Sequence, residues 1–296
     1  MRACVIFNPA AKGQKAERFR RCLDTIATQC ELKQTKEPGD ARRLAAAAIT
    51  EGHDTLIAAG GDGTLNEVLN GMGDVPDGFE RARLGVLPLG TINVFARELG
   101  IPTNPDAAWP ILQRGHERRI DLARIEAGDL DNPSRSYFAQ LAGAGLDARA
   151  IQLVNWPLKK RIGPFAYVVA GLRAMTEKQA LLTVADGTHT VTGQLVLVGN
   201  GSRYGGPFRI FPDAELADGY LHVCIFPRVN WRTLIHCGLA LLFTMKLPRR
   251  GLVRLRAQSL TLIGPAARHF EVDGELGGSL PARFTVQPAG LRVLVP

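Results

Sequence analysis

Long apolar runs, targeting segments and paired cysteines are all scarce in this 296-residue sequence. The longest apolar run, around Leu234 to Met245, contains His236 and falls short of the roughly 20 residues that a membrane-spanning helix needs. No transmembrane anchor is expected. The N-terminus, Met1 to Phe7, carries one basic residue and a short β-branched stretch that runs straight into Asn8-Pro9, without the apolar core or cleavage site of a secretory signal. It reads as a first strand, and the expected location is the cytosol. The five cysteines, Cys4, Cys22, Cys30, Cys224 and Cys237, are odd in number and contain no C-x-x-C pair, which argues against a disulfide framework or a zinc site. Internal repeats and low-complexity tracts are also missing.

What is present is a globular composition. With 46% hydrophobic residues and a mean hydropathy near zero, the chain can bury a substantial core and is long enough for two compact domains. The 36 Lys+Arg against 28 Asp+Glu give a formal charge of +8, which favours nucleotides, anionic lipid surfaces or nucleic acid as partners without choosing among them.

The first part alternates strand-like and helix-like segments. Strands are expected at Ala3 to Phe7, Glu31 to Thr35, Asp54 to Ala59 and Leu84 to Leu87, with helices at Gln14 to Gln29, Ala41 to Glu51, Leu65 to Gly71 and Ile92 to Leu99. This alternation predicts an α/β, doubly wound parallel sheet whose nucleotide site lies at the carboxyl ends of its strands. After a helix at Asp106 to Arg114 the pattern becomes strand-rich. Strands are expected at Arg119 to Ile125, Tyr137 to Ala142, Ala180 to Ala185, Val191 to Val198, Tyr220 to Phe226, Leu252 to Ile263 and Phe284 to Val286. Helices are expected at Leu146 to Val154, Pro164 to Lys178 and Trp231 to Phe243. Hairpin signals at Asp186-Gly187 and Asp273-Gly274 predict a mainly antiparallel β domain. The boundary is placed so that residues 1–120 form the nucleotide-binding domain and 121–296 the β-rich domain, the last strand returning to the first.

Three turns carry the chemistry. Gly60-Gly61-Asp62-Gly63-Thr64-Leu65-Asn66-Glu67 follows a buried strand and opens a helix, where free N–H groups and the helix dipole favour a phosphate. In it, Asp62 could orient a metal or a hydroxyl and Thr64 could cap the helix. A glycine turn at a strand end is as often a plain tight connection. Asn8-Pro9-Ala10-Ala11-Lys12-Gly13 and Pro88-Leu89-Gly90-Thr91-Ile92-Asn93 follow two further strands of the same sheet, and taken singly each is more often an ordinary turn. Neither a P-loop nor the Rossmann glycine fingerprint is present.

Together with Thr35...Gly39-Asp40-Ala41, these segments resemble the diacylglycerol kinase catalytic domain, which is shared with sphingosine and ceramide kinases. Their order holds along the chain, whose length resembles that of the bacterial soluble lipid kinases. The Asn-Pro loop departs from many relatives, ending Ala-Lys-Gly where they have Ser-Gly. The resemblance implies a two-domain NAD kinase/diacylglycerol kinase-like fold, ATP and Mg²⁺ as cofactors, and transfer of the γ-phosphoryl group to a lipid hydroxyl such as that of diacylglycerol. It implies that Asn8, Pro9, Lys12, Gly13 and Thr35 line the nucleotide pocket, that Gly60, Gly61, Asp62, Gly63, Thr64, Asn66 and Glu67 cradle the phosphates, and that Thr91 touches the nucleotide.

Phe211 to Leu221 is similar to the stretch that holds Mg²⁺ in bacterial members, which points to Asp213, Asp218 and the Tyr220 carbonyl. These are hard oxygen ligands of the kind Mg²⁺ prefers, although an Asp-Gly turn entering a strand is the plain reading of the same residues. Phe270-Glu271-Val272-Asp273-Gly274-Glu275 resembles the C-terminal V-D-G-E motif associated with the catalytic base. Asp273 is preferred there as proton acceptor, with Glu275 as the competitor and Asp62 as a further catalytic group; a type I′ hairpin is the alternative.

Trp156-Pro157-Leu158-Lys159-Lys160-Arg161 and Leu247-Pro248-Arg249-Arg250 set basic beside apolar groups, as an anionic membrane surface requires. Solvated loops are the bland reading. The expected partners are ATP and a lipid presented at such a surface by peripheral, transient contact, with no nucleic acid and a homodimer left open. Two rivals stand beside the lipid kinase. One is a NAD kinase, against which the S-T-P-T-G-S-T-A-Y-like segment is missing. The other is a nucleotide-binding protein without turnover, which no nucleic-acid signature supports.

Overall fold

The computed structural model describes residues 2–9, 14–129, 133–154, 165–265 and 268–296. The first half contains β1 (Ala3–Phe7), α1 (Gln14–Ala27), β2 (Glu31–Gln34), α2 (Asp40–Thr50), β3 (Thr55–Gly60), α3 (Asp62–Gly73), α4 (Gly78–Arg81), β4 (Arg83–Pro88), α5 (Val94–Glu98) and α6 (Pro105–Arg114). β3 is buried at all six positions, as the continuous apolar run Thr55 to Gly60 demands of a central parallel strand. Its neighbours are β1 and β4, and the parallel order is β2-β1-β3-β4. The order in which strands are added reverses between β1 and β3, with β2 laid to one side and β3 and β4 to the other, and a crevice opens at the carboxyl end of such a switch point. Helices α1, α2, α3 and α6 contribute apolar residues such as Phe19, Ala45, Leu69 and Leu112 to one core around this sheet.

The second half contains β5 (Glu117–Ala127), β6 (Ser134–Phe138), β7 (Leu141–Gly145), α7 (Leu146–Leu153), α8 (Phe165–Ala174), β8 (Leu182–Ala185), β9 (Thr190–Gly193), β10 (Leu195–Gly199), β11 (Arg203–Tyr204), β12 (Phe208–Arg209) and β13 (Leu221–Phe226). After it come α9 (Trp231–Thr244), β14 (Val253–Ala257), β15 (Ser259–Ile263), β16 (His269–Val272), β17 (Glu275–Ser279) and β18 (Ala282–Leu294). An antiparallel six-stranded sheet runs β14-β13-β10-β7-β16-β17. The remaining long strands extend the first sheet: β18 pairs in parallel with β4 at Val293 and Leu84, and antiparallel with β5 and β15. The faces of the two sheets enclose a second core, in which Phe138, Phe270 and Phe284 meet edge to face at 5.8 and 6.3 Å.

Three segments expected as single strands are each two. Tyr137 to Ala142 divides into β6 and β7 around Ala139-Gln140, Val191 to Val198 into β9 and β10 at Gln194, and Leu252 to Ile263 into β14 and β15 at Gln258. In every case one piece joins the large sheet and the other the six-stranded sheet. The chain crosses between layers there, and one apolar run serves both faces of the same core. The last strand is also longer than Phe284 to Val286. It runs from Ala282 to Leu294, with a register shift between Gln287 and Leu291 and a positive φ of 53° at Ala289.

Candidate functional site

Four strand ends, Phe7-Asn8, Gln34-Thr35, Gly60-Gly61 and Pro88-Leu89, lie on the same edge of the parallel sheet. Asn8 N–H donates to the Ala59 carbonyl at 3.3 Å and Thr35 N–H to the Phe7 carbonyl at 3.0 Å, so both loops leave the edge already tied to the strands beside them. Lys12 and Gly13 lie outside the described residues. Gly61 is the N-cap of α3 and the helix begins with no side-chain cap, leaving the positive end of its dipole to whatever occupies the crevice. The third loop closes directly on this turn: a Cβ at Gly90 would stand 2.6 Å from Gly61 Cα. Asn93 fixes that loop by accepting from Gly90 N–H at 3.0 Å and donating to the Gly90 carbonyl at 2.6 Å. Thr91 is exposed at its tip.

Within the glycine turn the polar side chains divide their tasks. Asp62 points to the third loop, its Oδ1 accepting from Val94 N–H at 2.8 Å at the start of α5. Burial, then the charge of Asp273, pushes its carboxyl up to about 6, against the pull of the Val94 and neighbouring N–H groups. Thr64 folds its hydroxyl back against Gly60. Glu67 is turned to α2: Gly39 N–H donates to Oε1 at 2.9 Å and Ala41 N–H to Oε2 at 3.0 Å. It therefore caps a neighbouring helix, and its membership of a phosphate cradle is not what its hydrogen bonds describe.

The Asp273-Gly274 turn reaches this loop from the other half of the molecule. Its φ angles of 49° and 92° and the pairing of Val272 with Glu275 make it a two-residue type I′ hairpin. Asp273 is enclosed by donors. Oδ1 accepts from Gln140 N–H at 3.1 Å and Leu141 N–H at 3.0 Å; Oδ2 accepts from Ala139 N–H at 3.0 Å and Asn66 Nδ2 at 3.1 Å. Three of these donors are backbone groups freed where β6 passes into β7. Burial raises the Asp273 pKa, and the donor set opposes the rise. Asn66, in turn, accepts from Asn70 Nδ2 at 3.1 Å, and Asn70 exchanges hydrogen bonds with the Tyr137 backbone. Glu275 is exposed, and its Oε1 lies 2.6 Å from where a Cβ on Gly63 would be. Gly63 thus gives Glu275 its place over the first turn of α3.

The expected metal group lies in the loop that precedes β13. Asp213 is exposed and lines a cavity of about 390 Å³ with Glu98, Arg118, Ser202 and Arg209. Asp218 accepts from Glu215 N–H at 3.2 Å and Tyr220 N–H at 3.0 Å, and its Oδ2 is 2.7 Å from His222 Nε2. Gly219 N–H donates to buried Asp121, which also accepts from Ala289 N–H. Of the basic segments, 156–161 falls outside the described residues, whereas Arg249 and Arg250 are exposed.

Two groups were not singled out from the sequence. Glu98 accepts from Ser202 N–H and Oγ, Arg203 N–H and Gln140 Nε2, all within 3.1 Å, and so ties α5 to the second half. Glu271 is fully buried beside Asp147, with Gly143 packed against both. Burial and the neighbouring carboxylate push the Glu271 pKa well up, and Gly274 N–H donates to its Oε2 at 2.8 Å. Glu271 lay in the quoted motif, but its partner is 124 residues away and could not be read.

Comparisons with known proteins bear on the family and the fold. Residues 2–125 match the model described as diacylglycerol kinase catalytic domain, and residues 140–295 the YegS C-terminal NAD kinase beta sandwich-like domain. A curated diacylglycerol kinase of Staphylococcus saprophyticus is 31% identical across the whole chain and 95% of its own length. The chain belongs to the diacylglycerol kinase family. One from Staphylococcus aureus is 32% identical across all of this family member and 92% of its own length. Among solved structures, a diacylglycerol kinase from Bacillus anthracis superposes with a TM-score of 0.73 at 20% identity, covering all of this chain and 97% of that one. Yeast NADH kinase in complex with NADH gives 0.58 at 13%, covering all of this chain and 84% of that one. These likenesses bear out the expected fold class, and the family membership makes the chain a kinase enzyme of a lipid-kinase family. The reading without turnover falls, and the NAD kinase likeness is one of fold.

Proposed function

We propose that this kinase transfers the γ-phosphoryl group of ATP to a hydroxyl of diacylglycerol or a related membrane lipid, with Glu275 as the proton acceptor. The observation that carries the reading is the meeting of Glu275 with the uncapped first turn of α3 at Gly63. Phosphates seated on that turn accept from its N–H groups, and Gly61 and Gly90 keep side chains out of the approach. Asn8, Pro9 and Thr35 border the same crevice, with Lys12 and Gly13 assigned to it by the resemblance, and Thr91 at its rim. The acceptor hydroxyl attacks the γ-phosphorus as its proton passes to Glu275; the bond to the β-phosphate oxygen breaks and ADP leaves.

This reverses the order read from the motif, where Asp273 stood first. A carboxylate offers about four acceptor positions, and four donors already occupy those of Asp273. Its role is to lock Asn66 and the 139–141 crossing, and hence α3, to the hairpin that carries Glu275. Asp62 positions the third loop through Val94.

Magnesium, when bound, neutralises charge on the nucleotide phosphates. For a second ion, Asp213, Asp218 and the Tyr220 carbonyl form a suitable hard-oxygen set: Asp218 keeps one acceptor position, and His222 would orient it as an outer partner. The hydrogen bonds of this loop run to Asp121 and His222, so its ion would hold the loop in shape. The acceptor is presented at an anionic membrane surface.

The test is phosphate transfer from Mg·ATP to a panel of dispersed lipids and NAD, with Glu275→Gln as control. Transfer to a lipid that collapses in the variant supports the assignment; transfer to NAD alone, or to nothing, overturns it.

A further inference from the structure

An α-helix on the surface of a folded domain ordinarily keeps polar residues on its outer face. α9 does not. Leu234, Cys237 and Leu241 turn inward onto the six-stranded sheet, yet the outer arc carries Trp231, Ile235, Leu239, Leu242 and Phe243 at helical spacing. Phe243 is 78% exposed, Leu242 65% and Ile235 60%. Exposed apolar patches on monomeric proteins rarely exceed on the order of 300–600 Å², and clustered ones mark interaction surfaces.

We infer that α9 is an interfacial helix that seats the protein on an anionic lipid bilayer through this outer apolar face. Charge selects the occupant. From Pro227 to Leu252 the chain carries Arg228, Arg232, Lys246, Arg249 and Arg250 and not one Asp or Glu. All five cations are exposed. A second copy pressed against this face would bring like charges together, whereas anionic headgroups complement them. No helix of the described residues is long and apolar enough to cross a membrane; α9, with its flanking cations, has the makeup of one that lies in the headgroup boundary.

The face is also joined to the crevice. At the C-terminal end of α9, the Met245 carbonyl accepts from Arg209 N–H at 2.8 Å in β12. That hairpin leads through Gly206, where a Cβ would stand 3.5 Å from Ile92 of the third loop, and through Arg203 to Glu98. Seating α9 in the headgroups brings this side of the cleft to the interface from which a lipid hydroxyl would enter. The purpose rests on the lipid-acceptor reading, but binding can be scored without ATP.

The experiment is co-sedimentation with vesicles of equimolar phosphatidylglycerol and phosphatidylcholine, against pure phosphatidylcholine. The unmodified protein is expected to bind the anionic vesicles, with a blue shift of the Trp231 emission that Trp231→Phe removes. Leu242→Glu with Phe243→Glu should weaken binding at least tenfold at an unchanged melting temperature, and Arg249→Ala and Arg250→Ala about fivefold each. A Trp231 emission that vesicles leave unmoved, or Glu variants that bind as the parent does, overturns the proposal. So does a parent dimer that the Glu pair splits without any effect on vesicle binding. Docking and turnover fail separately: loss of docking spares transfer to a short-chain, monomerically dispersed diacylglycerol, and loss of the kinase reading spares vesicle binding.

Discussion

The two halves of the molecule supply the site in different ways. The first half brings loops, each following its own strand in sequence, so Gly60 to Glu67 and Pro88 to Asn93 are local motifs placed by the parallel sheet. The second half is joined to it by single side chains across large sequence distances: Asp273 meets Asn66 and Ala139, and Ser202 meets Glu98 of the first half. Nucleotide chemistry of this kind can be held by backbone N–H groups, which any sequence supplies if glycine allows the approach. Proton transfer and clamping need particular side chains, and these arrive only when distant segments are locked together.

The sharpest way to break that comparison is to separate Asp273 from Glu275, two residues apart on one hairpin. Glu275→Gln should lower kcat by about 10²–10⁴-fold while leaving the melting temperature in place, because the side chain is exposed. Asp273→Asn should act first on the fold. An amide Nδ2 would face backbone N–H groups that now find a carboxylate, at a cost of about 3 kcal/mol, and activity would fall with it. Thermal melts beside initial rates decide the matter: an Asp273→Asn protein with unchanged melting and no turnover would return the proton to Asp273.

A smaller effect contrasts two glycines. The added methyl of Gly90→Ala would lie 2.6 Å from Gly61 Cα, which is backbone and cannot swing aside, so about 1–3 kcal/mol of stability should be lost. The methyl of Gly63→Ala meets the mobile end of Glu275 at the same 2.6 Å. Its stability should change by less than about 1 kcal/mol, with a loss of roughly tenfold in kcat as the carboxylate is pushed off its place. Urea unfolding and kinetics on the pair measure both. Glu98→Gln tests the clamp between halves: its Nε2 replaces one acceptor oxygen and faces either Ser202 N–H or, with the amide turned over, Arg203 N–H without accepting from it, and about 1–3 kcal/mol should go in the same assay.

How much could be read beforehand follows the same division. The four parallel strands and the glycine turns were legible because a buried strand is a short apolar run and a strand-end turn is punctuated by Gly, Pro and Asn. The hairpin at Asp273-Gly274 was legible for the same local reason. What could not be read is where an extended stretch changes sheets, as at Ala139-Gln140 and Gln258, since both pieces face one core and no Gly or Pro marks the crossing. The donors that enclose Asp273 are freed at one of these crossings. The motif therefore named both carboxylates but could not rank them.

The smallest effect is a pH dependence, and it ties the two halves electrostatically. Burial and the charge of Asp273 raise the Asp62 carboxyl from the ordinary 3.8 to about 6. Between those values the folded protein holds a proton that the unfolded chain has released. The contribution of Asp62 to stability is therefore fully present below pH 3.8 and is lost as pH rises through about 6, with a slope of at most about 1.4 kcal/mol per pH unit. Carboxylates such as Asp40 and Glu80, whose pKa values are lowered by their partners, tilt the curve the other way over the acid range. The difference between parent and Asp62→Asn isolates the one group, because the amide oxygen can still accept from Val94 N–H. Across pH 4 to 6 the parent should lose stability relative to the variant. A second replacement, Asp273→Asn, should lower the pH at which that loss occurs, because it removes the charge that helps raise Asp62. If the midpoint does not move, burial alone sets it and the two halves are not coupled through these carboxylates.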